Sequence, residues 1–154
     1  MAQVLKSVLV EYAAENMFEL VDGVEAYPQF LPWCRSTHVK ERTHDVTLAL
    51  IEIDYRGVRQ SFATRNVKIT PEWMHIKLQE GPFRQLVGHW HFKPLGAGAC
   101  KVEFRLEYEF SSRVLEKVIG PVFGHIASSM VDAFVRRANA TLTSSESGLS
   151  GPDQ

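Results

Sequence analysis

A chain of 154 residues, 45% apolar and 23% charged, has the size and composition of one globular domain able to bury a core. Its formal net charge of −1 excludes nucleic-acid binding driven by bulk charge and leaves only local basic patches. Cys34 and Cys100 form neither a metal-type spacing nor a disulfide framework and are expected as reduced thiols.

The N-terminus lacks the basic-then-apolar form of a signal peptide, and no window is expected to reach the run of about 20 apolar residues of a membrane helix. A cytoplasmic protein is expected, peripheral at the inner face of the membrane where it meets lipid. Residues 3–12 read as a first strand. Val4, Val8 and Val10 share a face, with Lys6 and Tyr12 spoiling the alternation. Ala13, Met17, Leu20 and Val21 follow at helical spacing, and Gly23 supplies a stop. The segment "VEAYPQFL" (24–31) reads as a second short helix or turn, broken by Pro28 and ended by Pro32, and it overlaps the apolar stretch "YPQFLPWC" (27–34). That stretch is too apolar for an ordinary solvated loop. Trp33 is the candidate for a wet lip, because indole keeps one polar donor.

From Cys34 the periodicity becomes that of strands. "CRSTHVKERT", "VTLALIEIDY", "VRQSFATRNVKI", "EWMHIKLQ", "QLVGHWHFKPL" and "CKVEFRLEYEF" are separated by turn residues, including Arg56–Gly57 and Gly81–Pro82. Short connections predict an antiparallel meander. In the last strand Val102, Phe104, Leu106, Tyr108 and Phe110 alternate with charged residues, so one face is buried and the other solvated. Gly88, in phase with Trp90, marks either a bend or room for a ligand. Residues 113–142 form a long helical tract in which Val118, Val122, Ile126, Met130 and Phe134 recur every four residues. Pro121 predicts a kink or restart inside it. Residues 143–154 carry no apolar pattern and are expected to be a disordered tail. The domain is therefore 1–142, in the order β-α-α-β6-α: an α+β seven-stranded antiparallel sheet curled around a long C-terminal helix.

Three segments, "YPQFLPWC", "GPFRQLVGHWHF" and "GPVFGHIASSMVDAFVRRA", occurring in this order within this framework, resemble the coenzyme Q-binding START-like proteins of the polyketide cyclase/dehydrase-like family. Ribosome association toxins of the RatA type belong to the same group. The resemblance covers about residues 3–142. It implies a helix-grip (START/Bet v 1-like) fold with a hydrophobic tunnel between sheet and C-terminal helix. Its expected occupant is ubiquinone or another isoprenoid quinone or lipid, bound without catalysis in support of cellular respiration. It equally implies the alternative of binding the large ribosomal subunit and blocking subunit association. An aromatase or cyclase is the third reading.

The residues expected on the tunnel are Trp33 at its lip, Phe62, Met74, Trp90, Phe104 and Tyr108 from the strands, and Val122, Phe123, Ile126 and Met130 from the helix. Ile76, Leu86, Leu106 and Phe134 share their faces. Met and aromatic side chains suit a flat ring and a flexible tail, and the same stripes also suit a solid core. No Ser elbow, phosphate loop, dinucleotide fingerprint or Cys–His pairing is present, so no catalytic residue is assigned. Glu52 and Asp54 read as a solvated rim. His75, His89 and His91 share the outward face of a hairpin, away from the tunnel, and no metal is assigned to them. Arg35, Lys40, Arg42, Arg56, Arg59, Arg65, Lys68, Arg136 and Arg137 read as solvated charges or as a footprint for ribosomal RNA or anionic lipid.

Overall fold

The computed structural model describes residues 1–142 in full and carries the backbone of the last helix to Ser150; the expected tail beyond 143 lies outside the residues described in full. Strand β1 (Ala2–Val10) leads into α1 (Ala14–Asp22), one 3-10 turn (Val24–Ala26) and α2 (Tyr27–Phe30). The meander follows as β2 (Cys34–Arg42), β3 (Val46–Tyr55), β4 (Val58–Ile69), β5 (Trp73–Glu80), β6 (Phe83–Pro94) and β7 (Cys100–Phe110). Helix α3 (Arg113–Ser150) ends the order.

The seven strands form one antiparallel sheet in the order β1-β7-β6-β5-β4-β3-β2. Each of β2 to β7 pairs with its neighbour in sequence, as short turns dictate. The β3–β4 turn is closed by Arg56 and Gly57, both at positive φ (51° and 81°), the geometry of a two-residue hairpin that follows the strand twist. Strand β1 returns to pair with β7, from Ala2 opposite Tyr108 to Val10 opposite Cys100. Alternation then sorts the side chains. Ala49, Ile51 and Ile53 of β3 are buried, and Glu52 and Asp54 face solvent, where both meet Arg35.

Pro28 does not break a helix. It occupies the first turn of α2, where its missing N–H costs nothing. Pro121 lies inside α3 without dividing it into two elements. The face that α3 buries also differs from the expected stripe. Ile119, Phe123, Ile126, Ala127, Phe134 and Ala138 are buried, whereas Val118 is 62% exposed. A helix turns about 100° per residue, so a strict four-residue repeat drifts by about 40° per step and carries Val118 roughly 160° away from Phe134. Contrary to the expectation above, the stretch between Arg113 and Leu142 is long and apolar enough, by length and composition alone, to cross a bilayer. Its apolar side packs on the sheet instead, which explains the composition.

Two aromatic clusters hold α3 on the sheet. Phe123 packs on Phe83 and Tyr108 with ring centroids 4.9 and 4.8 Å apart, and on Phe62 and Phe110 at 6.3 and 6.0 Å. Farther along the helix, Phe134 meets Trp90, Tyr27 and Phe30 edge-on at 5.4–5.5 Å. Full burial of each such ring contributes on the order of 1.5–3 kcal/mol.

Candidate functional site

Between the inward face of the sheet and α3 lies a cavity of about 70 Å³. Members of both aromatic clusters bound it. Phe62, Met74, Trp90 and Phe104 of the sheet face Phe123, Ile126 and Met130 of the helix, with Ile51, Ile76, Leu86 and Leu106 between them. The helical insertion supplies the remaining wall, through Val21, Val24, Tyr27 and Trp33. Eight of the ten residues expected on the tunnel thus line one space. Tyr108 and Val122 stand outside its wall. Tyr108 is buried in the Phe83–Phe110–Phe123 cluster, and Val122 is half-buried against the core.

Trp33 lies deeper than a wet lip would, at 4% exposure. The rest of its segment is largely a buried connector: Tyr27, Leu31 and Cys34 are buried, and only Pro28, Gln29 and Pro32 are exposed. Burial pushes the Cys34 thiol up to about 11, so it stays protonated and unreactive at neutral pH. Gly88 leaves no room for a ligand. A Cβ there would lie 3.1 Å from Leu106 Cδ1 and 3.3 Å from the Arg105 carbonyl, so the missing side chain serves close strand-to-strand packing.

The inward phase of β4 carries what sequence reasoning missed. It runs Phe62, Thr64, Asn66, Lys68, a polar row on an otherwise apolar face. Lys68 was expected among the solvated cations, yet its side chain is 4% exposed. Its Nζ donates to Asp22 Oδ2 at 3.2 Å, and the Thr47 hydroxyl donates to Asp22 Oδ1 at 2.9 Å. Asp22 ends α1, so this cluster pins the helical insertion over the cavity. Arg42 reinforces it, donating to the Asp22 carbonyl at 2.7 Å and pairing with Glu25. The pairing holds the Arg42 guanidinium above its ordinary range and the Glu25 carboxyl below its own. Thr64 and Asn66 reach the cavity wall itself. Asn66 is 6% exposed, and its Oδ1 is buried with no hydrogen-bond partner among the described residues. A polar residue in the buried phase of a strand was the available signal.

Among the described residues, the cavity wall carries no carboxylate, imidazole or amine. Its one titratable group, Tyr27, donates its hydroxyl to the Val21 carbonyl, and burial raises its pKa. A general acid or base would need such a group within reach of a substrate proton.

On the opposite face of the sheet, His75 and His89 bring their Nδ1 atoms to 2.8 Å, while His91 turns to Glu103 and Glu72. Trp73 stacks on His91 at 3.9 Å. Burial and the neighbouring His75 and Arg105 lower the pKa of His89. The three imidazoles do not converge on a point, and among the described residues no group of three or more His, Cys, Asp or Glu is placed to hold a metal. Most of the cations singled out in the sequence are engaged: Arg35 with Glu52, Lys40 with Glu80, Arg59 with Asp54, and Arg137 over the Phe30 ring.

Residues 10–135 match the family described as polyketide cyclase / dehydrase and lipid transport. The chain belongs to that family. Among relatives of this START-like protein, the ribosome association toxin RatA of Vibrio cholerae is 43% identical over 138 residues, covering 90% of this chain and 96% of the relative. The mitochondrial coenzyme Q-binding protein coq10 of Schizosaccharomyces pombe is 26% identical over 139 residues, covering 84% and 82%. In three dimensions the protein is similar to the Zhui aromatase/cyclase from Streptomyces, with a TM-score of 0.80 over 92% of this chain and 95% of the other. At 13% identity that likeness shows the helix-grip fold alone.

Proposed function

We propose that this START-like protein binds a hydrophobic ligand of isoprenoid type, specifically ubiquinone, in the cavity between sheet and α3, without chemical conversion. The observation that carries this reading is a predominantly apolar wall in which, among the described residues, one buried polar atom is left unmet, Asn66 Oδ1 beside Thr64. The coenzyme Q-binding relative supports the choice of quinone. Shielding an isoprenoid tail from water contributes about 0.8 kcal/mol per CH₂. The carrier would work from the cytoplasm or from the inner surface of the membrane.

Ligand pockets for molecules of this size run to roughly 300–1,000 Å³. The cavity of about 70 Å³ must therefore widen on binding. Met74 and Met130, unbranched and on opposite walls, are the side chains best suited to move aside. The insertion bearing Val21, Val24, Tyr27 and Trp33 is the backbone element that would lift. Organic extraction of purified protein followed by mass spectrometry is expected to recover quinone. Protein that carries none and takes none up from quinone-loaded vesicles would sink the proposal.

A second reading is favoured by a specific observation, the 43% identity to a ribosome association toxin along 90% of the chain. Association with the large ribosomal subunit would use the surface rather than the cavity. Of the cations singled out in the sequence, Arg56, Arg65 and Arg136 have no ion pair among the described residues, Arg56 lying over the Tyr55 ring, and these are candidates for such use. Sucrose gradients with excess protein are expected to show fewer joined ribosomes; an unchanged profile ends this reading.

A further inference from the structure

We infer that Asn66 anchors the polar end of the ligand inside the cavity and selects ring-headed isoprenoids over plain hydrocarbon. The inference rests on the reading of the cavity as a ligand site. Asn66 sits in the inward phase of β4, opposite Thr47 on β3 and Ile76 on β5. Its Oδ1 is buried and unpartnered among the described residues. Buried polar atoms are nearly always hydrogen-bonded, because an unmet one keeps the full cost of leaving water. Neighbouring polar groups do not satisfy it. Lys68 and Thr47 are committed to Asp22, and the Tyr27 hydroxyl to the Val21 carbonyl. Apart from the Thr64 hydroxyl two residues along the strand, the wall around it is largely apolar, so a ligand group placed there meets little competition from other partners.

The chemistry of the carboxamide defines the ligand class. Oδ1 accepts a hydrogen bond from a ring hydroxyl, as in a quinol or phenol. Half a turn about the last side-chain torsion presents Nδ2–H to a ring carbonyl, as in a quinone. A head group of either oxidation state is thus met, and an unfunctionalised chain is not. The head lies inward against β4, and the tail leaves past Met130 and the helical insertion.

Binding followed through the fluorescence of Trp33 and Trp90, both on the wall, tests this. The probes are a short-chain ubiquinone, oxidised and reduced, and a hydrocarbon of equal chain length without a head. Wild type is expected to prefer at least one quinone form by about tenfold, the worth of one buried hydrogen bond. Asn66→Leu and the smaller Asn66→Ala are expected to erase that preference while still binding hydrocarbon. Asn66→Leu, freed of an unmet polar atom, is also expected to melt at a higher temperature without ligand. A preference for the reduced form identifies Oδ1 as the contact, and for the oxidised form Nδ2. A preference that survives in both variants overturns the anchor and leaves the cavity reading intact. Hydrocarbon and quinone bound equally by wild type does the same. Failure of wild type to bind any probe overturns the cavity reading, and the anchor with it.

Discussion

Asp22→Ala is expected to lower the unfolding free energy by about 3–5 kcal/mol, the cost of leaving a buried charge without its partner. Lys68 is nearly inaccessible, at 4% side-chain exposure, and Asp22 is only 18% exposed. The truncation strands the Lys68 ammonium and the fully buried Thr47 hydroxyl together. Asp22 gains nothing from its own helix, because a carboxylate at a C-terminus opposes the helix dipole. Its role is to fasten α1 to β3 and β4. Asp22→Asn, which keeps an acceptor for Thr47, should cost less. Combining Asp22→Leu with Lys68→Met should recover much of the loss, since neither charge is then buried alone. Urea denaturation of the single and double variants measures this. A loss below about 1 kcal/mol for Asp22→Ala would mean that the pair behaves as an exposed one. Amide exchange across residues 14–30 should quicken in the same variant, because the pinned insertion forms one wall of the cavity.

Gly81→Ala is expected to cost about 2–4 kcal/mol, from backbone strain and overpacking together. Gly81 has φ +153°, and a Cβ built there falls 2.6 Å from Phe62 Cβ and 3.3 Å from Phe62 Cα. Those atoms belong to a strand and cannot swing away as a flexible tip could. Phe62 would be driven toward the cavity it lines, so ligand affinity should fall along with stability. Gly57→Ala is the control. It has φ +81° with nothing within 4 Å, so it carries strain alone, about 1–2 kcal/mol. Equal losses at the two positions, measured by thermal melting, would remove the steric argument.

The strands were legible because a period of two and short turns leave little freedom. Val46–Tyr55, Val58–Ile69 and Cys100–Phe110 match their sequence signals end to end. The sheet's share of the cavity followed from that phase, and Phe62, Met74, Trp90 and Phe104 fell where alternation placed them. The face of α3 was legible only in part, because the apparent four-residue repeat drifts around the helix. The contribution of Val21, Val24 and Tyr27 was hidden. Short helical pieces joined by Gly23 have no periodicity that fixes how they dock. Lys68 misled because charge was weighed above phase. Counting from Phe62 along β4 would have placed both it and Asn66 inside.

The pairing of β1 with β7 has a consequence in time. The sheet's first strand in sequence is paired with its last, Ala2 opposite Tyr108 and Val10 opposite Cys100. Until β7 emerges, β1 has no partner within the sheet, and until α3 follows, the apolar face of the meander has nothing to close on. Closure at such long sequence range is slow, and in the interval unpaired strand edges and uncovered aromatic side chains invite association with other chains. Until β7 and α3 have both emerged, the nascent chain is thus held in its most vulnerable form, and its folding depends on what shelters it before then.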